Sequence, residues 1–285
     1  MTTLIADSGS TKTNWLLIEN DGKINKYRTE GINPVVGDSS IISHTISKSF
    51  APKLNGTSID KIFFYGAGCT QAKKDVVEKA LAKVFPDAEI EVQSDVLAAA
   101  RALCGYKEGV ACIIGTGSNS CLYNGKEIVR NISPLGYILG DESSGAVLGK
   151  NLIGNILKKQ LPEEICHAFF EETKLTEEEI IDRVYRKPMP NRFLASLMPF
   201  IKNHHDNSQI AEFLVSNFRL FLRRNVYPYG RPDLEVHFIG GVAYNFREEL
   251  RVAMNIEHLK MGNVELSPQN GLLAYHSTSI NQVIF

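Results

Sequence analysis

The sequence predicts a duplicated α/β fold, and two internal echoes predict it. In the first echo, Leu4-Ile5-Ala6 leads into Asp7-Ser8-Gly9-Ser10-Thr11-Lys12-Thr13, then Trp15-Leu16-Leu17-Ile18, then a turn at Asn20-Asp21-Gly22-Lys23. The pattern returns as Val110-Ala111-Cys112-Ile113-Ile114, Gly115-Thr116-Gly117-Ser118-Asn119, Ser120-Cys121-Leu122-Tyr123 and a turn at Asn124-Gly125-Lys126. Each copy is an apolar strand, a small-residue turn, a second strand and an Asp-Gly or Asn-Gly hairpin signal. In the second echo, Lys61-Ile62-Phe63-Phe64-Tyr65 runs into Gly66-Ala67-Gly68, and Glu235-Val236-His237-Phe238-Ile239 runs into Gly240-Gly241. Both read as buried strands that end in glycines. Two such units suit two α/β lobes whose hairpin turns face each other across a cleft.

The spacing of apolar residues predicts the helices. A helix over 39–50 carries Ile41, Ile42, Ile46 and Phe50, and one over 71–85 ends before Pro86. The alternation in Glu89-Ile90-Glu91-Val92-Gln93 predicts a strand. Ser94 is placed to cap a helix over 95–104 that Gly105 closes. Further helices are expected over 143–161, after the capping box of Thr176 and Glu179, over 210–226 with a core stripe of Ile210, Phe213, Leu214, Phe218, Phe221 and Leu222, and over about 268–277. Residues 160–233 carry no strong motif.

Composition removes several function classes. The chain has 285 residues, enough for one large domain or two smaller ones. Its 31 basic and 32 acidic residues leave a net charge of −1 with no basic run, which argues against nucleic acid as a partner. No apolar stretch approaches the roughly 18 residues of a membrane helix. Residues 1–6 lack a basic leader and run straight into Asp7, so no signal peptide is expected. Five cysteines without a CxxC read as reduced thiols of a cytoplasmic protein, and not as a disulfide frame or a zinc site.

The residues that could carry chemistry cluster at the turns. A run of small residues after Asp7 exposes backbone N–H groups and lets a phosphate approach. Asp7 could hold Mg²⁺ directly or through water, and Thr11 and Lys12 could touch phosphate oxygens; alone, the run is also a plain hairpin with a solvated Asp and Lys. The Gly115–Asn119 turn works the same way but has no acid, and the sequence sets Gly115 at the position of Asp7. Two such turns favour phosphate binding. There is no GxxxxGK[ST], and neither Gly115-Thr116-Gly117 nor Gly66-Ala67-Gly68 completes a GxGxxG, so a nicotinamide cofactor is poorly supported. Asp95 opens a helix whose N-terminus stabilises the anion, which suits a group that accepts a proton from a hydroxyl, or a helix-end charge with no other role. Asp141 and Glu142, in Gly140-Asp141-Glu142-Ser143-Ser144-Gly145, could bind sugar hydroxyls or metal, or cap the helix that follows. Asn33, before Pro34, is a turn residue that could reach a ligand. No HExxH and no GxSxG occurs.

The order DSGSTKT, SDVLAAARA, GTGSNS, LGYILGDESSG, FIGGVA resembles the actin/hexokinase/Hsp70 ATPase superfamily. Within it the chain is similar to the BadF/BadG/BcrA/BcrD-type branch, above all to its N-acetylglucosamine kinase-like proteins, over nearly its whole length. The resemblance implies a ribonuclease H-like fold in each of two lobes around a nucleotide cleft, the first over 1–110 and completed by a C-terminal helix within 268–285, the second over 111–267. It implies ATP and Mg²⁺, with Gly9, Ser10, Thr11, Lys12, Thr116, Gly117 and Ser118 on the phosphates, Gly240 and Gly241 on the adenosine, and Asp7 near the metal. Asp95 matches the catalytic aspartate, and Asn33, Asp95, Thr116, Gly136 and Asp141 match positions that contact the sugar. The implied reaction is phosphorylation of an amino sugar such as N-acetylglucosamine, at O6, and homodimers are common among such kinases. The chain departs from the pattern at Ser8 and Ser10, where glycine is frequent, and at Leu135, where mammalian-type kinases carry Trp before the glycine. Two other roles fit the superfamily: an ATPase that activates a partner enzyme, and a sugar or nucleotide sensor without turnover. The activating ATPases bind an iron–sulfur cluster through cysteines, and Cys104, Cys112 and Cys121 are not placed for one.

Overall fold

The structure is a computed structural model that describes residues 1–9, 11–35 and 37–282. The chain divides into two units, Met1–Gly105 with Pro268–Phe285, and Tyr106–Ser267. The division falls at the end of a helix and ahead of residue 110, because Glu108 already begins the first strand of the second unit.

The first unit runs β1 (Thr3–Ser8), β2 (Lys12–Ile18), β3 (Ile24–Glu30), α1 (Ser39–Ser49), β4 (Lys61–Gly66), α2 (Lys74–Val84), β5 (Glu89–Ser94) and α3 (Asp95–Cys104). Its five strands lie in the order β3-β2-β1-β4-β5. The pairs β1·β2 and β2·β3 are antiparallel, whereas β1·β4 and β4·β5 are parallel. Gly22, at a φ of 83°, makes the turn between β2 and β3. Asp38 caps α1 by accepting the N–H groups of Ser40 and Ile41. Ser94 Oγ accepts the Leu97 N–H, and Gly105 ends α3 at a φ of 62°. α2 starts three residues later than its apolar spacing suggests, because Thr70–Lys73 forms a turn in which Lys73 and Lys74 both donate to the Thr70 carbonyl. Alternation along β1 sends Leu4 and Ala6 to one face of the sheet and Ile5 to the other. On the first face Trp15 stacks on Phe50 at 4.0 Å between ring centres, among Ile46, Phe64 and Leu81.

The second unit runs β6 (Glu108–Ile114), β7 (Ser118–Asn124), β8 (Ile128–Ile132), α4 (Gly136–Leu139), α5 (Gly145–Leu157), α6 (Glu163–Thr173), α7 (Glu177–Tyr185), α8 (Pro190–Ala195), α9 (Met198–Asn203), α10 (Ser208–Phe221), β9 (Glu235–Ile239), α11 (Gly241–Asn245), α12 (Arg247–Ile256) and β10 (Lys260–Glu265). A π-helical turn, Leu222–Val226, extends α10. The expected stripe along α10 is core, with Ile210, Leu214, Phe218, Phe221 and Leu222 fully buried. Thr176 and Glu179 form the reciprocal capping box at the start of α7. α13 (Gln269–Gln282) closes the chain in the first unit, where Tyr65 Oη meets His276 Nε2 at 2.8 Å and Arg101 donates to Tyr65 Oη at 2.6 Å.

The second sheet, β10-β9-β6-β7-β8, repeats the first. β6·β7 and β7·β8 are antiparallel, and β6·β9 and β9·β10 are parallel. Thus β6 to β10 correspond to β1 to β5 in order, and both sequence echoes coincide with corresponding strands. What differs is the insert: between β8 and β9 lie seven helices where one helix and a short 3₁₀ turn suffice between β3 and β4. Among the described residues no helix is long and apolar enough to cross a membrane.

Candidate functional site

In the first unit the parallel strands β1, β4 and β5 end level with one another, since Ser8 pairs Gly66 and Gly66 pairs Ser94. Ligands of open α/β sheets bind beyond such carboxyl ends. Asp7 sits one residue before the end of β1, and Asp95 one residue after the end of β5. β4 separates them, and it ends in Gly66, where an added Cβ would lie 2.8 Å from Cys69 Sγ. Burial pushes the Asp7 carboxyl up to about 6, against a hydrogen bond from the Asn14 amide; the charge of Asp95 adds to the rise and Lys12 opposes it.

Asp95 corrects an expectation. Its carboxylate accepts the Val96 N–H at 2.9 Å, as a group at a helix N-terminus should, yet burial outweighs that bond and raises its pKa above the ordinary aspartate value. The raised value makes the carboxylate a stronger base, which suits proton abstraction. Burial, followed by the charge of Asp95, also pushes the Cys69 thiol up to about 12.

The β1–β2 turn is held from beneath by hydroxyls. Ser8 Oγ accepts the Ile32 N–H and donates to the Ile32 carbonyl, both at 2.9 Å. Thr13 Oγ1 donates to the Glu30 carbonyl at 2.9 Å and accepts a longer bond of 3.2 Å from Ile32 N–H. Ser8 therefore has a structural task, and that task fixes the segment carrying Asn33. Asn33 Oδ1 accepts the Val35 N–H at 2.9 Å. It also lies against Gly68, whose φ is 78° and where a Cβ would come within 2.6 Å of that oxygen. Above the turn, Thr11 and Lys12 are exposed, and a Cβ on Gly9 would meet nothing closer than 3.9 Å. Ser10 lies outside the described residues.

In the second unit the β6–β7 turn is held by a helix. Gly145 N–H and Ala146 N–H, at the start of α5, donate to the carbonyls of Gly115 (2.7 Å) and Thr116 (3.2 Å). The cap of α5 is Ser144, whose Oγ accepts the Val147 N–H, so Asp141 and Glu142 do not cap it. Asp141 instead faces the turn: its Oδ2 lies 3.1 Å from where a Cβ on Gly117 would stand. Burial pushes the Asp141 carboxyl up to about 6, partly offset by the N–H of the buried Ser118, while the charge of Glu142 raises it further. Thr116 is exposed, and a Cβ on Gly115 or Gly241 would meet nothing within 4 Å. Gly240 is different in kind. Its φ is 120° and a Cβ there would fall 2.5 Å from the Ile114 carbonyl oxygen, so the backbone crossing itself requires glycine. Gly136 is exposed at the first position of α4, at a φ of 74°.

Strand register corrects one correspondence. Asp7 pairs Asn14 and Tyr65, and Ile113 pairs Asn119 and Ile239. The counterpart of Asp7 is therefore Ile113 and not Gly115, and Asn119 is the counterpart of Asn14. The conclusion that only the first turn carries an acid is unchanged. Sequence reading passed over Asn14, and it gave Gly68 and Cys69 no place at the site; it also passed over Arg224 and Asn225, which hold Glu142 at 2.9 Å each. The recurrence of Asn in the second strand of both hairpins was the available signal for Asn14; the rest are brought in from distant segments.

Among the described residues no group of three or more His, Cys, Asp or Glu is arranged as a metal site. Mg²⁺ needs no such cage, since one or two carboxylates with water and phosphate oxygens suffice. The half-buried Asp7 carboxylate, its charge unfavourable beside Asp95, fits that requirement.

No protein-family model matches the chain, and no curated protein matches it. Solved structures do. A Porphyromonas gingivalis protein provisionally described as an N-acetylglucosamine kinase is 50% identical, with 96% of this chain and 98% of that one covered and a TM-score of 0.92. A Chromobacterium violaceum protein with the same provisional description is 17% identical at a TM-score of 0.73, with 96% and 98% covered. A glucokinase of the ROK family from Streptomyces griseus, solved with glucose and AMPPNP, is 15% identical at a TM-score of 0.59, again with 96% and 98% covered. The last two share the fold. With half its residues identical over nearly the full length of both chains, this protein belongs to the same family as the Porphyromonas gingivalis protein, and it shares its α/β fold with the glucokinase.

Proposed function

We propose that the protein is an ATP-dependent sugar kinase that phosphorylates an amino sugar such as N-acetylglucosamine at O6. The observation that carries the reading is the placement of Asp7 and Asp95 at the carboxyl ends of β1 and β5, on either side of β4 in the parallel part of one sheet, one beside an open small-residue turn and one as a half-buried carboxylate whose pKa burial raises. The half-identical relative provisionally described as an N-acetylglucosamine kinase supports the choice of acceptor. The motif order supports the BadF/BadG/BcrA/BcrD-type branch as the wider family.

In this reading Asp95 accepts the proton of the sugar hydroxyl as its oxygen bonds to the γ-phosphorus. The bond from that phosphorus to the bridging oxygen breaks, and ADP leaves with the electron pair. Asp7 would hold Mg²⁺, which supplies charge neutralisation on the phosphates. Thr11, Lys12 and the N–H groups of the two turns, with the room left by Gly9, Gly115 and Gly241, suit phosphate and nucleotide binding. Asn33, Thr116, Gly136 and Asp141 are assigned to the sugar. Most of the acceleration is positioning and charge stabilisation. The protein then works in the cytoplasm on a small-molecule substrate, and light scattering decides whether it does so as a homodimer.

The test is ADP release with Mg·ATP across a panel of amino sugars, with glucose as control. Release that depends on one amino sugar, and falls about 10²–10⁴-fold in Asp95→Asn while ATP still binds, is the expected result. Release without sugar would replace the kinase by an ATPase that serves a partner. ATP binding without release would leave a sensor.

A further inference from the structure

We propose that Arg224 and Asn225 are positioning residues for Asp141, acting through the buried Glu142. The inference rests on the kinase reading, in which Asp141 contacts the sugar. Glu142 is only 6% exposed and stands between two non-glycine residues in the left-handed region, Asp141 at a φ of 49° and Ser143 at 60°. Each such residue is strained and persists only where its surroundings over-determine it.

The surroundings are specific. Arg224 Nε donates to Glu142 Oε1 at 2.9 Å, and Asn225 Nδ2 donates to Oε2 at 2.9 Å. Ser143 Oγ donates to the Asn217 carbonyl on α10 at 2.7 Å. Consecutive residues of an α-helix point about 100° apart and do not share one acceptor. Here both reach the one Glu142 carboxylate, and both lie in the π-helical turn Leu222–Val226, a wide turn of the kind that recurs at functional sites. The same turn grips the other side of the site: the Asn225 carbonyl accepts Ser120 Oγ at 2.9 Å, one residue beyond the Gly115–Asn119 turn. Asn225 thus ties the strand that leaves the turn to the loop that carries Asp141, and Asp141 in turn accepts the Ser118 N–H. The ion pair is open to solvent on its Arg224 side and so contributes little stability, and a purely structural need does not by itself account for a buried carboxylate here. A need to hold one neighbouring carboxylate at a set place does.

The test compares wild type, Arg224→Ala, Arg224→Lys, Glu142→Gln and the double variant Glu142→Gln/Arg224→Ala in steady-state kinetics and thermal unfolding. Arg224 is half exposed, but its removal leaves the buried Glu142 without its cation, so thermal unfolding and the double variant separate lost positioning from lost stability. The expected result is a rise of about ten-fold in KM for the sugar in Arg224→Ala with KM for ATP unchanged, partial recovery in Arg224→Lys, and a double variant no worse than Glu142→Gln alone. An unchanged sugar KM and kcat in Arg224→Ala overturns the inference alone. So does a loss in both KM values that merely tracks a lower melting temperature. A wild-type protein without sugar-dependent ADP release removes the kinase reading and this inference together.

Discussion

The β1–β2 and β6–β7 turns hold equivalent places in equivalent sheets, yet they are built differently. The first is supported by side-chain hydroxyls, Ser8 and Thr13, which bond the backbone of Glu30 and Ile32. The second is supported by backbone N–H groups of α5 that reach the carbonyls of Gly115 and Thr116. The first strand carries an acid, Asp7, where the second carries Ile113. Duplication therefore preserved the geometry of a strand, an open turn and a return strand, while the chemistry around each turn diverged. A helix N-terminus spent on loop carbonyls is not available to a phosphate, so in the second unit it is the turn itself that remains for ligand.

The largest effect expected of a break in this asymmetry is at Asp7. On the proposed reading Asp7→Asn lowers Mg²⁺-dependent turnover by about 10²-fold, whereas Ile113→Val at the matching position leaves kcat unchanged. Equal losses in the two variants would mean that the units do not divide the work this way.

The glycines sharpen the comparison. Gly240→Ala forces a Cβ toward the Ile114 carbonyl at a φ of 120° and should destabilise the protein by about 2–4 kcal/mol in chemical denaturation. Gly115→Ala enters open space and should shift stability by no more than about 0.5 kcal/mol while weakening nucleotide binding in calorimetry. If Gly115→Ala binds nucleotide as well as wild type, the open space over that turn is not ligand space.

A smaller effect belongs to Ser8. Ser8→Ala removes the partner of the Ile32 carbonyl and should cost about 1–2 kcal/mol. It should also raise KM for the sugar through the displaced Asn33; a stability loss with unchanged KM would confine Ser8 to the fold.

A pH slope in the first unit tests the docking of α13. Burial, then the charges of Arg101 and Lys61, lowers His276 to about 3 from an ordinary 6.5. Below pH 6.5 the unfolded chain takes up a proton at this position and the folded chain does not, so stability falls as pH drops from 6.5 toward 3. Hydrogen exchange of α13 should quicken across that range, and His276→Gln should flatten the dependence.

Much of the fold was legible in the linear pattern because its signals are local. The limits of α3 follow from Ser94, an apolar run and Gly105, and the capping box at Thr176 depends on four residues alone. The echoes exposed the duplication, because a strand, a glycine turn and an Asp-Gly or Asn-Gly hairpin each carry their own signature. The site was legible in part. Asp7 and Asp95 stand at strand ends that periodicity locates, and so attract attention without tertiary knowledge. The raised pKa of Asp95 was not legible, since burial by distant segments outweighs the local helix terminus. Nor was the division of labour within Gly140–Gly145, where Ser144 caps and Glu142 is buried, because that is decided by Arg224 and Asn225 some eighty residues away.

The sequence by itself determined the two strand-turn-strand units, most helix ends and the identity of the exposed turns, since these rest on backbone preference and on spacing within a few residues. Only the tertiary structure decided which glycines are needed by the backbone and which leave room, which strand position matches Asp7, and which side chains hold Glu142. Each of those depends on groups far apart in the chain meeting within hydrogen-bond or van der Waals distance, and no local pattern encodes that meeting.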